Sequence, residues 1–159
     1  MTLKAKFAHT NIIARDWKRL SKFYEQVFGC IPLPPERELE GQWLDQATGI
    51  TNVQIHGIHL RLPGHGDQGP TLEIFQYNRQ VEGPATGVNR PGFGHIAFAV
   101  DDVEAARDQV LASGGGRIGN IACLEIPEAG RVTFVYLTDP EGNIIELQKW
   151  EKGRFKRTG

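Results

Sequence analysis

The chain has 159 residues, of which 40% are hydrophobic and 23% are charged, and its formal net charge is -1. This composition is typical of a globular protein with room for one domain or for two small halves that share a core. The near-zero net charge gives no electrostatic reason to expect a nucleic acid or a membrane as a partner. No apolar run approaches the roughly 20 residues of a membrane span, and the first residues do not resemble a signal peptide.

The two cysteines, Cys30 and Cys123, are far apart in the sequence and do not form a CxxC motif. Their spacing argues against a disulfide framework and against a zinc knuckle. We therefore expect a reducing, cytoplasmic location.

The first half is predicted to begin with a strand over residues 6–14, followed by a helix that Asp16 caps and Gly29 ends. Apolar side chains recur in this helix with the 3.6-residue period of a buried face. Three prolines in the segment 31–41 favour an extended connector. The segment 43–49 has no clear period, and no element is predicted there.

Strand character returns over residues 52–62 and again over residues 71–77. Glu73 lies in the middle of the second of these strands, where a glutamate is a poor choice for an ordinary strand interior. The segment 78–91 is rich in Gly, Pro and Asn, and is predicted to link the two halves of the chain.

The second half is predicted to repeat this order more compactly. A strand that starts at Phe93 runs into a helix, which Asp101 or Asp102 caps and which the glycines at 114–116 end. The remaining predicted elements are a strand over 117–126, a strand over 132–137, a turn over 139–143 and a strand over 144–150.

Histidine and glutamate recur at matching places in the two halves. An offset of 86 residues matches His9 with His95, each on the first strand of its half, while Glu73 and Glu146 lie on the last strands. The histidine and the glutamate are 64 residues apart in the first half and 51 in the second. We attribute the difference of 13 residues to an extra loop between residues 31 and 70.

We expect an α+β fold with a single domain that spans residues 1–159. Two βαβββ modules, at about 5–80 and 91–150, would form a curved mixed sheet around a metal-binding cleft. Two imidazoles and two carboxylates suit a divalent metal ion such as Zn, Ni, Co, Mn or Fe. The set contains no thiolate, which argues against a closed structural zinc site. A bound cation would also offset the cost of burying the carboxylates.

The sequence contains other histidines, a basic tail and aromatic residues that could lie near the same cleft. His56 and His59 are three residues apart on a predicted strand and should face opposite ways, so we interpret both of them, and His65, as surface residues. The basic tail at 151–157 is interpreted as a solvated terminus, with a contact to CoA or glutathione as the alternative. Four aromatic residues could line the cleft or pack in the core: Trp43, Phe75, Tyr77 and Trp150.

Three segments carry a family resemblance together with the histidines and glutamates named above: Lys22–Gly29, Gly94–Asp102 and Asp139–Leu147. They resemble the vicinal oxygen chelate superfamily, the glyoxalase-like proteins that include glyoxalase I, bleomycin-resistance proteins and extradiol dioxygenases. The resemblance covers nearly the whole chain except residues 31–70 and the tail.

The resemblance implies a glyoxalase-like metal enzyme, a lyase, isomerase or epimerase similar to lactoylglutathione lyase, that acts through a metal-stabilised enediolate or enolate. His9, Glu73, His95 and Glu146 would bind the metal ion, Glu146 would act as the base that leaves the metal, and Glu73 would be its counterpart. The substrate would be a small molecule with adjacent oxygens, with a thiol conjugate or a thioester as candidates. The protein would be a homodimer.

Two alternatives stay open. The same site suits an Fe(II) extradiol-type dioxygenase or a thiol transferase, and the same scaffold suits a bleomycin-resistance-like protein that binds a small ligand without catalysis. The dioxygenases and transferases resemble the set of His9, His95 and Glu146, so the additional Glu73 favours the isomerase and epimerase branch. The sequence does not say whether the cleft lies within one chain or across two.

Overall fold

The computed structural model describes residues 2–152 of the chain. It divides into two compact units, the first ending at Gly83 and the second beginning at Pro84, within the segment that the sequence analysis predicts as a linker. Most of the basic tail, residues 153–157, lies outside the described residues. No helix within residues 2–152 is long and apolar enough to cross a membrane.

In its described part, the first unit contains one mixed sheet and two helices. The elements are β1 (His9–Ile13), α1 (Trp17–Phe28), β2 (Ile31–Glu40), α2 (Gln42–Thr48), β3 (Gln54–Arg61) and β4 (Thr71–Tyr77). The strand order is β1-β4-β3-β2, in which β1 runs parallel to β4 and the other neighbours are antiparallel. The last strand of the unit therefore lies beside the first.

Helix α1 begins and ends where the sequence predicts. The side chain of Asp16 accepts a hydrogen bond of 3.0 Å from the backbone N–H of Arg19, and Gly29 adopts the left-handed conformation that ends the helix. The helix packs on β3 and β4, on the face from which the fully buried Leu72 projects. Because side chains alternate along a strand, Glu73 projects from the opposite face.

The prediction of a connector over residues 31–41 is wrong, because this segment is extended but forms the strand β2. β2 is one of the two edge strands of this sheet, and an edge strand tolerates proline because one of its sides needs no backbone hydrogen bonds. The register of its pairing with β3 shifts between Leu33 and Arg37, on either side of two of the prolines. The prolines are therefore accommodated at an irregularity of an edge strand.

Helix α2 forms in the segment for which the sequence showed no period. The carboxylate of Asp45 accepts hydrogen bonds from the backbone N–H groups of Asn52, at 2.8 Å, and Val53, at 3.0 Å, so the helix is tied to the start of β3. Leu44 is 5% exposed and lies in a small apolar cluster whose other members are Leu39, Val53, Ile55, Phe75 and Tyr77. Because Phe75 and Tyr77 alternate with the residues that face α1, this cluster lies on the face of the sheet that carries Glu73.

The second unit repeats the strand order of the first. Its elements are β5 (Ile96–Ala99), α3 (Val103–Ala112), β6 (Gly116–Arg117), β7 (Ala122–Ile126), β8 (Gly130–Thr138) and β9 (Ile144–Glu151). The order is β5-β9-β8-β6, with β5 parallel to β9, and β7 also pairs with β8. The predicted strand over 117–126 is therefore two short strands. The fold is α+β, as predicted, and within residues 2–152 it contains two mixed sheets, one in each unit.

Helix α3 is capped by Asp102, whose side chain accepts a hydrogen bond of 3.0 Å from the backbone N–H of Ala105. The helix ends before the three glycines, of which Gly114 has a φ of 94°. It packs on β8 and β9, where Leu147 is fully buried. Glu146 therefore projects from the other face of this sheet.

The predicted turn at 139–143 is built around a buried carboxylate. Asp139 is 1% exposed and accepts hydrogen bonds from the backbone N–H groups of Glu141 and Asn143, at 2.9 and 3.0 Å, and from the side-chain amide of Asn143, at 2.8 Å. This turn joins β8 to β9 and so fixes which residue of β8 lies opposite Glu146.

Candidate functional site

In the first unit, the structure brings His9 and Glu73 together. His9 is the first residue of β1, Glu73 lies in the middle of β4, and the two strands are parallel neighbours. The His9 Nε2 atom is 2.9 Å from Glu73 Oε1. The side chain of Glu73 is 12% exposed and that of His9 is 45% exposed, so the carboxylate is the more deeply buried partner.

The second unit contains the same arrangement. His95 directly precedes β5, Glu146 lies in β9, and these strands are again parallel neighbours. The His95 Nε2 atom is 2.9 Å from Glu146 Oε2, with the two side chains 36% and 15% exposed. Each unit therefore forms one imidazole–carboxylate pair from the residues that the sequence singled out.

A second histidine of the first unit, His59, also contacts Glu73. His59 lies on β3 directly opposite Glu73, and its Nε2 atom is 2.9 Å from Glu73 Oε2. Its side chain is 22% exposed, and its ring lies edge-on to the ring of Phe75, with 5.7 Å between the ring centroids. The interpretation of His59 as a surface residue is therefore wrong, whereas His56 and His65 are exposed as predicted.

The sequence contained part of the signal for His59. The side chains on either side of it, Ile58 and Leu60, are apolar and buried against α1, so alternation alone places His59 on the other face. The missing information was the register of β3 on β4, which decides that His59 lies opposite Glu73 and not two residues away.

Tyr136 takes the equivalent position in the second unit. It lies on β8 directly opposite Glu146, and its ring centroid is 5.2 Å from that of His95. Partial burial of the phenol, the negative charge of Glu146 and a hydrogen bond to Glu146 together raise the pKa of Tyr136 above its ordinary value. The phenol therefore keeps its proton and donates a hydrogen bond to the Glu146 carboxylate. Tyr136 was not among the site residues predicted from the sequence.

The surroundings of His59 shift its pKa. Burial lowers the pKa of His59 below its ordinary value, against the opposing effect of the Glu73 charge, and Arg37 and His9 lower it further. The contact with Glu73 fixes which nitrogen faces the carboxylate, since His59 Nε2 is 2.9 Å from Glu73 Oε2. A carboxylate oxygen accepts hydrogen bonds, so an imidazole nitrogen at this distance is suited to act as the donor.

The four aromatic residues differ in their surroundings. Phe75 and Tyr77 pack against the apolar cluster beneath α2, which agrees with core packing, one of the two alternatives left open for them. Trp43 is 58% exposed, and Trp150 is 46% exposed with its Nε1–H group donating to Gln148 Oε1 at 2.9 Å. Phe75 is therefore the aromatic residue of this set that also contacts a histidine beside Glu73.

Within residues 2–152, no three His, Cys, Asp or Glu side chains form a group placed to hold a metal ion. In the first unit, the two imidazoles instead contact different oxygens of Glu73. Each predicted pair offers one nitrogen and one oxygen, which is fewer than the three or four protein ligands that a catalytic zinc ion usually takes.

The chain was compared with known proteins. One relative is a protein named probable lactoylglutathione lyase from Vibrio parahaemolyticus, to which the chain is 30% identical over 146 residues. The alignment covers 89% of this chain and 88% of the relative. Its fold is similar to that of a glyoxalase family protein from Bacillus cereus, with a TM-score of 0.71, 18% identity, and coverage of 94% of this chain and 95% of that one.

A second solved structure also has a similar fold. It is a fosfomycin resistance protein from Listeria monocytogenes in complex with Mn(II) and 1S,2S-dihydroxypropylphosphonic acid, with a TM-score of 0.50, 16% identity, and coverage of 91% of this chain and 92% of that one. At such low identity, both structural likenesses show the fold alone. Residues 6–147, which are most of the chain, match the family described as the glyoxalase/bleomycin resistance protein/dioxygenase superfamily. This match confirms the resemblance found in the sequence. The chain belongs to the glyoxalase/bleomycin resistance protein/dioxygenase superfamily.

Proposed function

We propose that the chain is a metal-dependent lyase or isomerase of the glyoxalase type, which moves a proton at a carbon atom next to a carbonyl group. The observation that supports this most is the repeated contact of an imidazole with a carboxylate, His9 with Glu73 and His95 with Glu146, each at 2.9 Å. These four side chains would bind the metal ion. The similarity to a probable lactoylglutathione lyase supports a thiol conjugate as the substrate.

The chemistry of the donor set fits a divalent first-row metal ion. Imidazole nitrogen and carboxylate oxygen suit Zn, Ni, Co, Mn and Fe, and neither pair includes a thiol. The side chains of His9 and His95 are partly exposed, at 45% and 36%, so an ion from solvent could reach these rings. When bound, the ion would act as a Lewis acid on the oxygens of the substrate.

The side chains of the protein would carry the proton. Glu146 would accept a proton from the carbon beside the carbonyl group and return it to the neighbouring carbon. The phenol of Tyr136 donates a hydrogen bond to Glu146 and would orient this carboxylate. Each carboxylate has two partners, which are two imidazoles for Glu73 and the His95 imidazole with the Tyr136 phenol for Glu146. The choice of Glu146 as the mobile base follows the resemblance to the glyoxalase-like enzymes.

The test is an assay of S-lactoylglutathione formation from methylglyoxal and glutathione, together with the metal content of protein purified without chelator. Bound metal should be present, EDTA should abolish turnover, and added Zn²⁺ or Ni²⁺ should restore it. The variant Glu146→Gln should keep the metal while kcat falls by about 10²–10⁴-fold. Glu125→Gln, at an exposed position of β7, is the matched control and should be unaffected.

Two results would contradict the proposal. Protein that binds no divalent metal would exclude the metal-dependent reaction. Undiminished turnover in the Glu146→Gln variant would exclude the base role of Glu146 and leave the metal site intact.

We also propose that the enzyme is a homodimer. Mixing two inactive variants tests whether the residues of one site come from one chain or from both. His9→Ala and His95→Ala are each expected to be inactive. If one site takes its two pairs from different chains, a mixed dimer contains one unaltered site and recovers activity. If both pairs come from one chain, every site in the mixed dimer carries a substitution and no activity returns.

A further inference from the structure

The Glu73 carboxylate is bound on both oxygens by imidazoles on the two neighbouring strands. His9 Nε2 contacts Oε1 and His59 Nε2 contacts Oε2, both at 2.9 Å. In the proposed metal site, His9 would bind the ion through the same nitrogen that now contacts Oε1. The contact of His59 uses the other oxygen and does not compete with a metal ion at Oε1.

We propose that His59 is a positioning residue for the metal site, which donates a hydrogen bond to Glu73 Oε2 and so presents Oε1 to the metal ion. This inference rests on the proposed function, since it requires that Glu73 is a metal ligand. A carboxylate that binds a metal ion is commonly held by a hydrogen bond of its own, and loss of such a partner weakens metal binding.

The His59 ring is held in place by its packing. Its side chain is half as exposed as that of His9, at 22% against 45%, and it packs edge-on to Phe75. Phe75 in turn lies across Gly57, where a Cβ atom would lie 2.5 Å from Phe75 Cδ1. The hydrogen-bond donor is therefore fixed by packing, as an effective positioning group requires.

The second unit supports a donor role over a ligand role for His59. Tyr136 occupies the equivalent position, opposite Glu146, and its phenol hydrogen-bonds that carboxylate. An imidazole and a phenol share the ability to donate one hydrogen bond to a carboxylate. The property common to both units at this position is thus a donor opposite the glutamate.

The experiment measures the dissociation constant of Zn²⁺ for the apoprotein by competition with a chelating dye, without substrate. The His59→Phe variant removes the donor and keeps a ring, His59→Gln keeps a donor, and His56→Phe alters an exposed histidine of the same strand. Urea unfolding of each apoprotein reports separately on folding. X-ray absorption of the zinc-loaded proteins counts the imidazole ligands.

We expect His59→Phe to weaken zinc binding by about 10–100-fold, His59→Gln to recover part of the affinity, and His56→Phe to leave it unchanged. The number of imidazole ligands should be the same in the wild type and in His59→Phe. Unchanged zinc affinity in His59→Phe would overturn the inference and leave the proposed function standing. Loss of one imidazole ligand in this variant would also overturn the inference, because it would show that His59 is itself a ligand of the metal ion. A wild type that binds no zinc or other divalent metal would overturn both.

Discussion

Tyr136 and Glu146 lie directly opposite each other on neighbouring strands, and the phenol hydrogen-bonds the carboxylate. We expect Tyr136→Phe to lower kcat of the proposed reaction by roughly 10-fold, because Glu146 loses the hydrogen bond that orients it. The metal content should stay the same. Steady-state kinetics with Tyr77→Phe as control test this, since Tyr77 belongs to the apolar cluster beneath α2. Equal loss of activity in both variants would show that the phenol of Tyr136 has no specific role.

The close approach of β3 and β4 at Gly57 predicts a large effect on stability. A Cβ atom there would overlap the carbonyl oxygen of Ile74 and crowd the ring of Phe75. We expect Gly57→Ala to lower the free energy of unfolding by about 1–3 kcal/mol, as overpacking of a core does. Gly83→Ala is the control, since nothing lies within 4 Å of a Cβ atom at that position. Urea unfolding of the two variants measures the difference, and equal midpoints would contradict it.

The buried turn around Asp139 should be important for the second unit. Asp139→Ala leaves two backbone N–H groups and one side-chain amide without their acceptor, so we expect a loss of about 1–3 kcal/mol in the free energy of unfolding. The control, Asp108→Ala, removes an exposed carboxylate from α3 and should change stability much less. Chemical denaturation followed by the fluorescence of the tryptophans tests this. A stable Asp139→Ala variant would mean that the turn forms without its carboxylate.

The two free thiols should differ sharply in reactivity. Burial raises the pKa of Cys30 to about 12, and the charge of Glu25 adds to this effect. Hydrogen bonds from Arg131 and Thr133 lower the pKa of the exposed Cys123. Because thiolate is the reactive form, one thiol should react with Ellman's reagent in the native protein and the other only on unfolding. A fast reaction that persists in Cys123→Ser would contradict this assignment.

The raised pKa of Cys30 also predicts how stability changes with pH. The unfolded chain loses this thiol proton near the ordinary pKa of 9.0, whereas the folded protein keeps it up to about 12. The resulting contribution to stability is therefore complete below pH 9 and is lost as the pH rises towards 12. Between these values, the free energy of unfolding should fall more steeply with pH in the wild type than in Cys30→Ala. Parallel pH profiles would contradict this.

The sequence predicted well those features that depend on neighbouring residues. Asp16 and Gly29 are local signals for the ends of α1, and both lie where predicted. The alternation around Glu73 placed it on the correct face of β4, because the period of a strand follows from the chain itself. The pairing of His9 with Glu73 was predicted from the repeat, because comparing the two halves of the chain relates residues that are far apart in the sequence.

Features that depend on strand register and strand position were missed. The prolines of β2 argued against a strand, since the sequence did not show that this strand lies at the edge of its sheet. His59 and Tyr136 were missed because each is defined by the residue opposite it on another strand. Alternation places each side chain on a face, but the pairing register decides which residue lies opposite it, and no local pattern fixes that register.

Helix α2 has no helical counterpart between β6 and β8 in the described part of the second unit. It lies against the end of β4 that carries Phe75 and Tyr77, while His9 is paired with Thr71 at the opposite end of that strand. A change in the length or sequence of this insertion would thus reshape the space beside Phe75 without replacing an imidazole or a carboxylate. Under the proposed function, changes in this insertion would therefore alter substrate selectivity separately from the side chains that carry the reaction.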